Sequence, residues 1–165
     1  MTANEALNNV KALISDLEDA IKTGKRDSRI RDTGRSYKSR AYSVRDICDE
    51  VGIVGWCHNT VSLSQLKQMK SFLTTAIKLG YTGYVCFVVG DSVRSYNSHG
   101  MWAYKENEAP DRYSDRKGAV LFHSFRSGDN YWDACDDDGV RFSHKYYKES
   151  SWGKFTLEQI KKLLA

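Results

Sequence analysis

The feature that most constrains this chain is a change of hydrophobic period part-way along it. Leu7, Val10, Leu13, Ile14, Leu17 and Ile21 recur at three- and four-residue spacing, which lines up one face of an α-helix. The run predicts an amphipathic helix that ends before Thr23-Gly24. A second stripe, Leu66, Met69, Phe72, Leu73, Ala76 and Ile77, follows Ser62 or Ser64 as cap and is closed by Gly80. From 84 to 89 the residues become β-branched and aromatic, which predicts a buried strand. Further strand candidates follow at 101–106, 119–125, 130–135 and 140–147. Asp136-Asp137-Asp138-Gly139 separates the last two and carries the turn chemistry of a hairpin. Residues 107–118, with Ala109-Pro110 and many charges, read as a long solvated loop. Thr156, with Gln159 three residues on, opens a short C-terminal helix whose apolar face is Leu157, Ile160, Leu163 and Leu164.

This order predicts an α+β fold: two N-terminal and central helices and a short C-terminal helix packed on a mainly antiparallel sheet of four to five strands. A doubly wound sheet is disfavoured. The glycines never reach the dinucleotide or P-loop spacing, and Gly90-Asp91-Ser92 lacks the companions of a phosphate cradle. At 165 residues the chain is predicted to be a single globular domain, 1–165. With 41% hydrophobic and 28% charged residues it resembles neither a disordered tail nor a membrane protein. No run approaches the apolar length of a spanning helix. The first residues carry acids inside their apolar periodicity and do not read as a secretory signal. A cytoplasmic location is expected. Cys48, Cys57, Cys86 and Cys135 are too scattered for a disulfide scaffold and are expected to be structural thiols.

The net charge of +4 hides a strong polarity along the chain. Residues 24–45 alone carry plus six, against minus three over 46–60 and minus four over 119–139. The basic block is Lys25, Arg26, Arg29, Arg31, Arg35, Lys38, Arg40 and Arg45, interleaved with Ser28, Thr33, Ser36, Tyr37, Ser39 and Tyr42. It has the composition of a segment that is mobile when alone. Arginine outnumbers lysine six to two, which suits planar, bidentate contact with phosphates or carboxylates. The bland alternative is a solvated loop whose charge keeps the protein in solution.

The sequence that follows the block offers a helix-turn-helix. Val44, Ile47, Cys48 and Val51 fall on one face ahead of Gly52, and Asn59, Thr60, Ser62 and Ser64 precede a helix on which Lys67 and Lys70 would face a DNA backbone. Residues 54–58 are too long for the tight turn, and Asp46, Asp49 and Glu50 bring negative charge to the proposed DNA surface. Single-stranded nucleic acid is the other form of polyanion, because exposed aromatics stack on bases while cations track the backbone. Trp102, Tyr104 and Trp132 are candidates for stacking or for a protein interface, where Trp, Tyr and Arg anchor most binding energy.

Signals of catalysis or metal binding are weaker. His58, His99, His123 and His144 match no close-spaced ligand set, and Cys57-His58 with Cys48 lacks a fourth ligand. His99 and His123 meet only if neighbouring strands bring them together, with Asp91 or Asp133 orienting one of them for acid–base work. Asp129, Asp133, Asp136, Asp137 and Asp138 fail the calcium-loop register. If Gly139 is the invariant glycine, Ala134 takes the first position and Lys145 the last. They read as turn and surface acids that can neutralise the basic block.

The leading expectation is therefore a small nucleic-acid-binding or nucleic-acid-associated accessory protein with no metal or cofactor. Its phosphate contacts would come from Lys25, Arg26, Arg29, Arg31, Arg35, Tyr37, Lys38, Arg40, Arg45, Lys67 and Lys70. The alternative is a binding module or inhibitor that presents the same residues to an acidic protein surface. A hydrolase-type enzyme using His99 and His123 ranks third.

Overall fold

Thr2 starts the first helix, α1 (Ala3–Thr23), through a reciprocal cap. Its backbone N–H donates to the Glu5 carboxylate at 2.7 Å, and its hydroxyl accepts from the Glu5 N–H at 3.4 Å. The helix stops at Gly24, whose left-handed φ of 74° suits a residue without Cβ and whose N–H donates back to the Ala20 carbonyl. The computed structural model describes residues 1–56, 59–89, 99–109, 119–124, 130–135 and 141–146. For His99, 121–124, 130–135 and 141–146 the description is of the backbone.

Two further helices follow, α2 (Val44–Val51) and α3 (Leu63–Lys78). Ser62 is the cap of α3, and Gln65 completes its capping box. Four strands that the hydrophobic pattern did not reveal are threaded between the helices: β1 (Ile30–Asp32), β2 (Arg40–Ser43), β3 (Ile53–Trp56) and β4 (Thr60–Ser62). The expected strands then appear as β5 (Val85–Val89), β6 (His99–Tyr104), β7 (Ala119–Ser124), β8 (Asn130–Cys135) and β9 (Arg141–Tyr146).

The fold is α+β, with two sheets where one was expected. The small sheet is antiparallel in the order β1-β2-β4. The large one runs β3-β5-β6-β7-β8-β9, six strands rather than four to five, and only its β3–β5 pair is parallel. β3 and β4 stand between α2 and α3, so those helices do not form a helix-turn-helix. The expected pairing of 130–135 with 140–147 is present as β8–β9. The turn at 136–139, Gly90-Asp91-Ser92, Cys57-His58, residues 110–118 of the long loop and the C-terminal helix all lie outside the described residues.

The helices cover one face of the large sheet. Leu13, Leu17, Leu66, Met69, Phe72 and Leu73 pack against Val85, Phe87, Val89, Met101, Ala103 and Val120, and Phe72 meets Phe87 edge to face at 6.3 Å. The other face holds a smaller cluster of Cys86, Tyr104 and Ala119 with Val54, Tyr84 and Trp102. Burial pushes the Cys86 thiol up to about 12, so it packs as a small hydrophobe rather than reacting. Gly83 joins the layers: its N–H donates to the Tyr104 carbonyl and its own carbonyl accepts from Ala3 N–H, each at 2.8 Å. A Cβ there would run into the backbone of Lys105 and Glu106. Among the described residues no helix is long and apolar enough to cross a membrane.

Candidate functional site

The basic segment is built around a hairpin. β1 and β2 pair through Ile30 with Tyr42, Arg31 with Ala41 and Asp32 with Arg40. The tip, 33–39, is closed by Thr33, whose N–H and hydroxyl both donate to the Ser39 carbonyl at 2.6 and 2.7 Å. Inside it, the Lys38 N–H donates to the Ser36 hydroxyl at 3.2 Å. Serine and threonine here serve the turn, as short hydroxyl side chains commonly do.

Arg40 fastens this hairpin to α1. Its guanidinium donates to the Ala20 carbonyl at 2.9 Å, to those of Gly24 and Lys25, and to Asp32 at 2.8 Å. Its side chain is 8% exposed. It thereby adds a second donor to the Ala20 carbonyl, which already accepts the Gly24 N–H, and meets the carbonyls just beyond the helix, at the pole where a cation is favoured. Above it lies the Tyr37 ring, its centroid 5.6 Å from the guanidinium carbon and its face turned to the place where a Cβ on Gly24 would stand.

Two more arginines are occupied. Arg29 sits over the Tyr42 ring and pairs with Glu50 at 3.3 Å, Asp27 at 3.5 Å and Asp16 at 3.9 Å. Tyr42 beneath it is fully buried, and its hydroxyl has no hydrogen-bond partner among the described residues. Arg31 reaches Asp46 at 3.4 Å and the Ser28 carbonyl at 2.8 Å. Lys25, Arg26, Arg35 and Lys38 are exposed and make no ion pair with the described residues. Tyr37 brings the tip to Gly24, at the C-terminal end of α1, from which Lys25 and Arg26 follow in the chain. A cavity of about 360 Å³ opens beside them, lined by Arg26, Asp27, Ser28, Ile30, Asp32 and Arg40.

Asp27 supports the base of the hairpin. Its carboxylate accepts the Arg29 N–H at 2.8 Å, and that bond holds its pKa below the ordinary 3.8. A carboxyl whose folded pKa is depressed contributes stability above its unfolded pKa, and loses it as pH falls through the folded value. Asp27→Asn is therefore expected to lower the melting temperature at pH 7. The gap from wild type should close as pH falls below 3.8; thermal melts across that range check it, and a gap independent of pH would contradict it.

The remaining expected site residues stand elsewhere. On α1, Asn9 and Asp16 face α2 and the hairpin, since Asn9 donates to the Glu50 carbonyl and Asp16 meets Arg29. Ile14 and Glu18 lie on the opposite flank and meet α3, where Lys67 pairs with Glu18 at 2.7 Å. Lys67 and Lys70 thus line a separate groove of about 550 Å³ with Ser71, Thr74 and Thr75. Arg45 is exposed in the first turn of α2, about 100° round that helix from Asp46.

The aromatic candidates do not form one platform. Tyr104 is 4% exposed, and the Trp102 indole lies over Gly100 on the same face. Trp132 is paired with Phe122, itself opposite Met101, and so occupies a position on the other face. Among the described residues the exposed aromatics are instead Tyr37, at 44%, and Trp56, at 48% on the edge strand β3. Nothing in the hydrophobic pattern set Trp56 apart, because residues 54–58 read as an inter-helix loop. His99 pairs with Ser124 and His123 with Gly100, so the two histidine positions alternate to opposite faces of the sheet. Among the described residues no three His, Cys, Asp or Glu side chains gather as a metal site.

No protein family, curated protein or solved structure matches this chain.

Proposed function

We propose that this chain is a small cytoplasmic nucleic-acid-binding protein whose phosphate contacts come from the hairpin end of the molecule. The observation that supports this reading is the division of labour among the cations. Arg29, Arg31 and Arg40 are spent on internal carboxylates and carbonyls. Lys25, Arg26, Arg35 and Lys38 make no ion pair with the described residues: Arg35 and Lys38 stand on the braced tip, and Lys25 and Arg26 stand in the segment that leaves the end of α1. Cations without an internal carboxylate are free to neutralise phosphates, and a polyanion that binds them releases its own counterions.

Filter retention of duplex DNA, single-stranded DNA and RNA, each with and without polyglutamate as competitor, tests the class of partner. Retention at low salt that persists in polyglutamate is expected. Absence of retention for all three at low salt would overturn the reading and favour an acidic protein surface as the partner.

A further inference from the structure

The shape of the hairpin end carries the reading one step further: it favours an unpaired base over a duplex. Tyr37 is the reason. Three atoms of its ring lie equally, at 3.8 Å, from the point where a Cβ on Gly24 would stand, so the ring presents a face to that glycine. The Arg40 guanidinium lies 5.6 Å from the ring centroid, fixed by its own bonds to Asp32 and to the end of α1. The ring is thus backed by a rigid support rather than waving on a loop. Yet 44% of Tyr37 is open to solvent, a large apolar exposure with no cover among the described residues. Lys38 follows it directly, Arg35 stands two residues before it on the same tip, and Lys25 and Arg26 follow Gly24 in the chain.

We infer that Tyr37 is a stacking platform for an unpaired nucleobase, with the four cations holding the phosphates on either side of that base. This rests on the nucleic-acid reading above. A flat ring with one supported face offers the π-surface that any base can cover, and interleaved cations fix the backbone without reading sequence. Paired bases in a duplex keep their faces stacked on each other, so the same ring gains nothing from them without unstacking a step. Arg40 beneath the ring serves as a positioning residue.

The test compares a single-stranded DNA oligonucleotide with the same strand carrying abasic sites throughout, and with its duplex, on wild type, Tyr37→Phe and Tyr37→Ala. Wild type and Tyr37→Phe are expected to bind the normal strand about 5- to 100-fold more tightly than the abasic strand. Tyr37→Ala should lose that preference and bind both strands at the abasic level. Circular dichroism and melting of Tyr37→Ala guard against a folding defect, and Tyr37→Phe keeps the ring if the alanine variant misfolds. Single-strand binding equal on normal and abasic strands in wild type would overturn the platform while leaving phosphate binding intact. No binding to any of the three nucleic acids would overturn both.

Discussion

A variant carrying Lys25→Gln, Arg26→Gln, Arg35→Gln and Lys38→Gln is expected to lose roughly 10³- to 10⁴-fold of its affinity for a single-stranded oligonucleotide at 50 mM salt. The figure follows from counterion release: about 0.7 of an ion leaves a single strand per phosphate neutralised, and four contacts at that salt concentration amount to between three and four powers of ten. The four side chains are exposed and make no ion pair with the described residues, Lys25 acting on Asp27 only at a distance, so the melting temperature should move little, as for surface substitutions generally. Lys67→Gln with Lys70→Gln removes two cations from the far flank of α1 and is expected to change affinity by less than about threefold. Equal losses from the two variants would mean that charge in bulk, rather than the hairpin end, attracts the partner.

Arg40→Ala is expected to act in the opposite way, on stability first. Truncation leaves the Gly24 and Lys25 carbonyls without this donor, the Ala20 carbonyl with the Gly24 N–H alone, and Asp32 without its cation. Hydrogen bonds from a charged donor are worth about 1.5–3 kcal/mol, and Asp32, being 58% exposed, recovers water as a partner. The net cost is about 2–4 kcal/mol, which for a domain of this size lowers the melting temperature by roughly 5–15 °C. Arg40→Lys should recover little of it, because an ammonium cannot span carbonyls and a carboxylate with one planar fork. An Arg40→Ala protein that melts like wild type would show that the hairpin does not depend on this anchor.

The contrast between these two variants marks where the sequence was readable and where it was not. The two long helices and the run of strands from Val85 were legible because their apolar residues repeat over several turns or alternate over five or six positions. β1 and β4 have three residues each, and β1 buries only Ile30, so they offer no period to detect; their pairing is decided by distant partners. The same limit applied to the site. Eight cations in 22 residues were visible as a block, but sequence spacing cannot tell Arg40, which caps α1, from Arg35, which reaches solvent. Both are arginines flanked by serine. Their roles separate only once Asp32 is placed opposite Arg40 and the end of α1 beneath it. Tyr37 was visible within the block and Trp102 and Tyr104 outside it, yet burial reverses their promise: the strand aromatics are packed and the turn tyrosine is open.

The measurement closest to the central claim is the dependence of single-strand affinity on salt, taken as the slope of log K against log salt for wild type and the four-site variant. The slope is expected to become shallower by about three when Lys25, Arg26, Arg35 and Lys38 are neutralised, four contacts at about 0.7 each. A slope that stays the same in the variant would contradict the assignment of phosphate binding to the hairpin end.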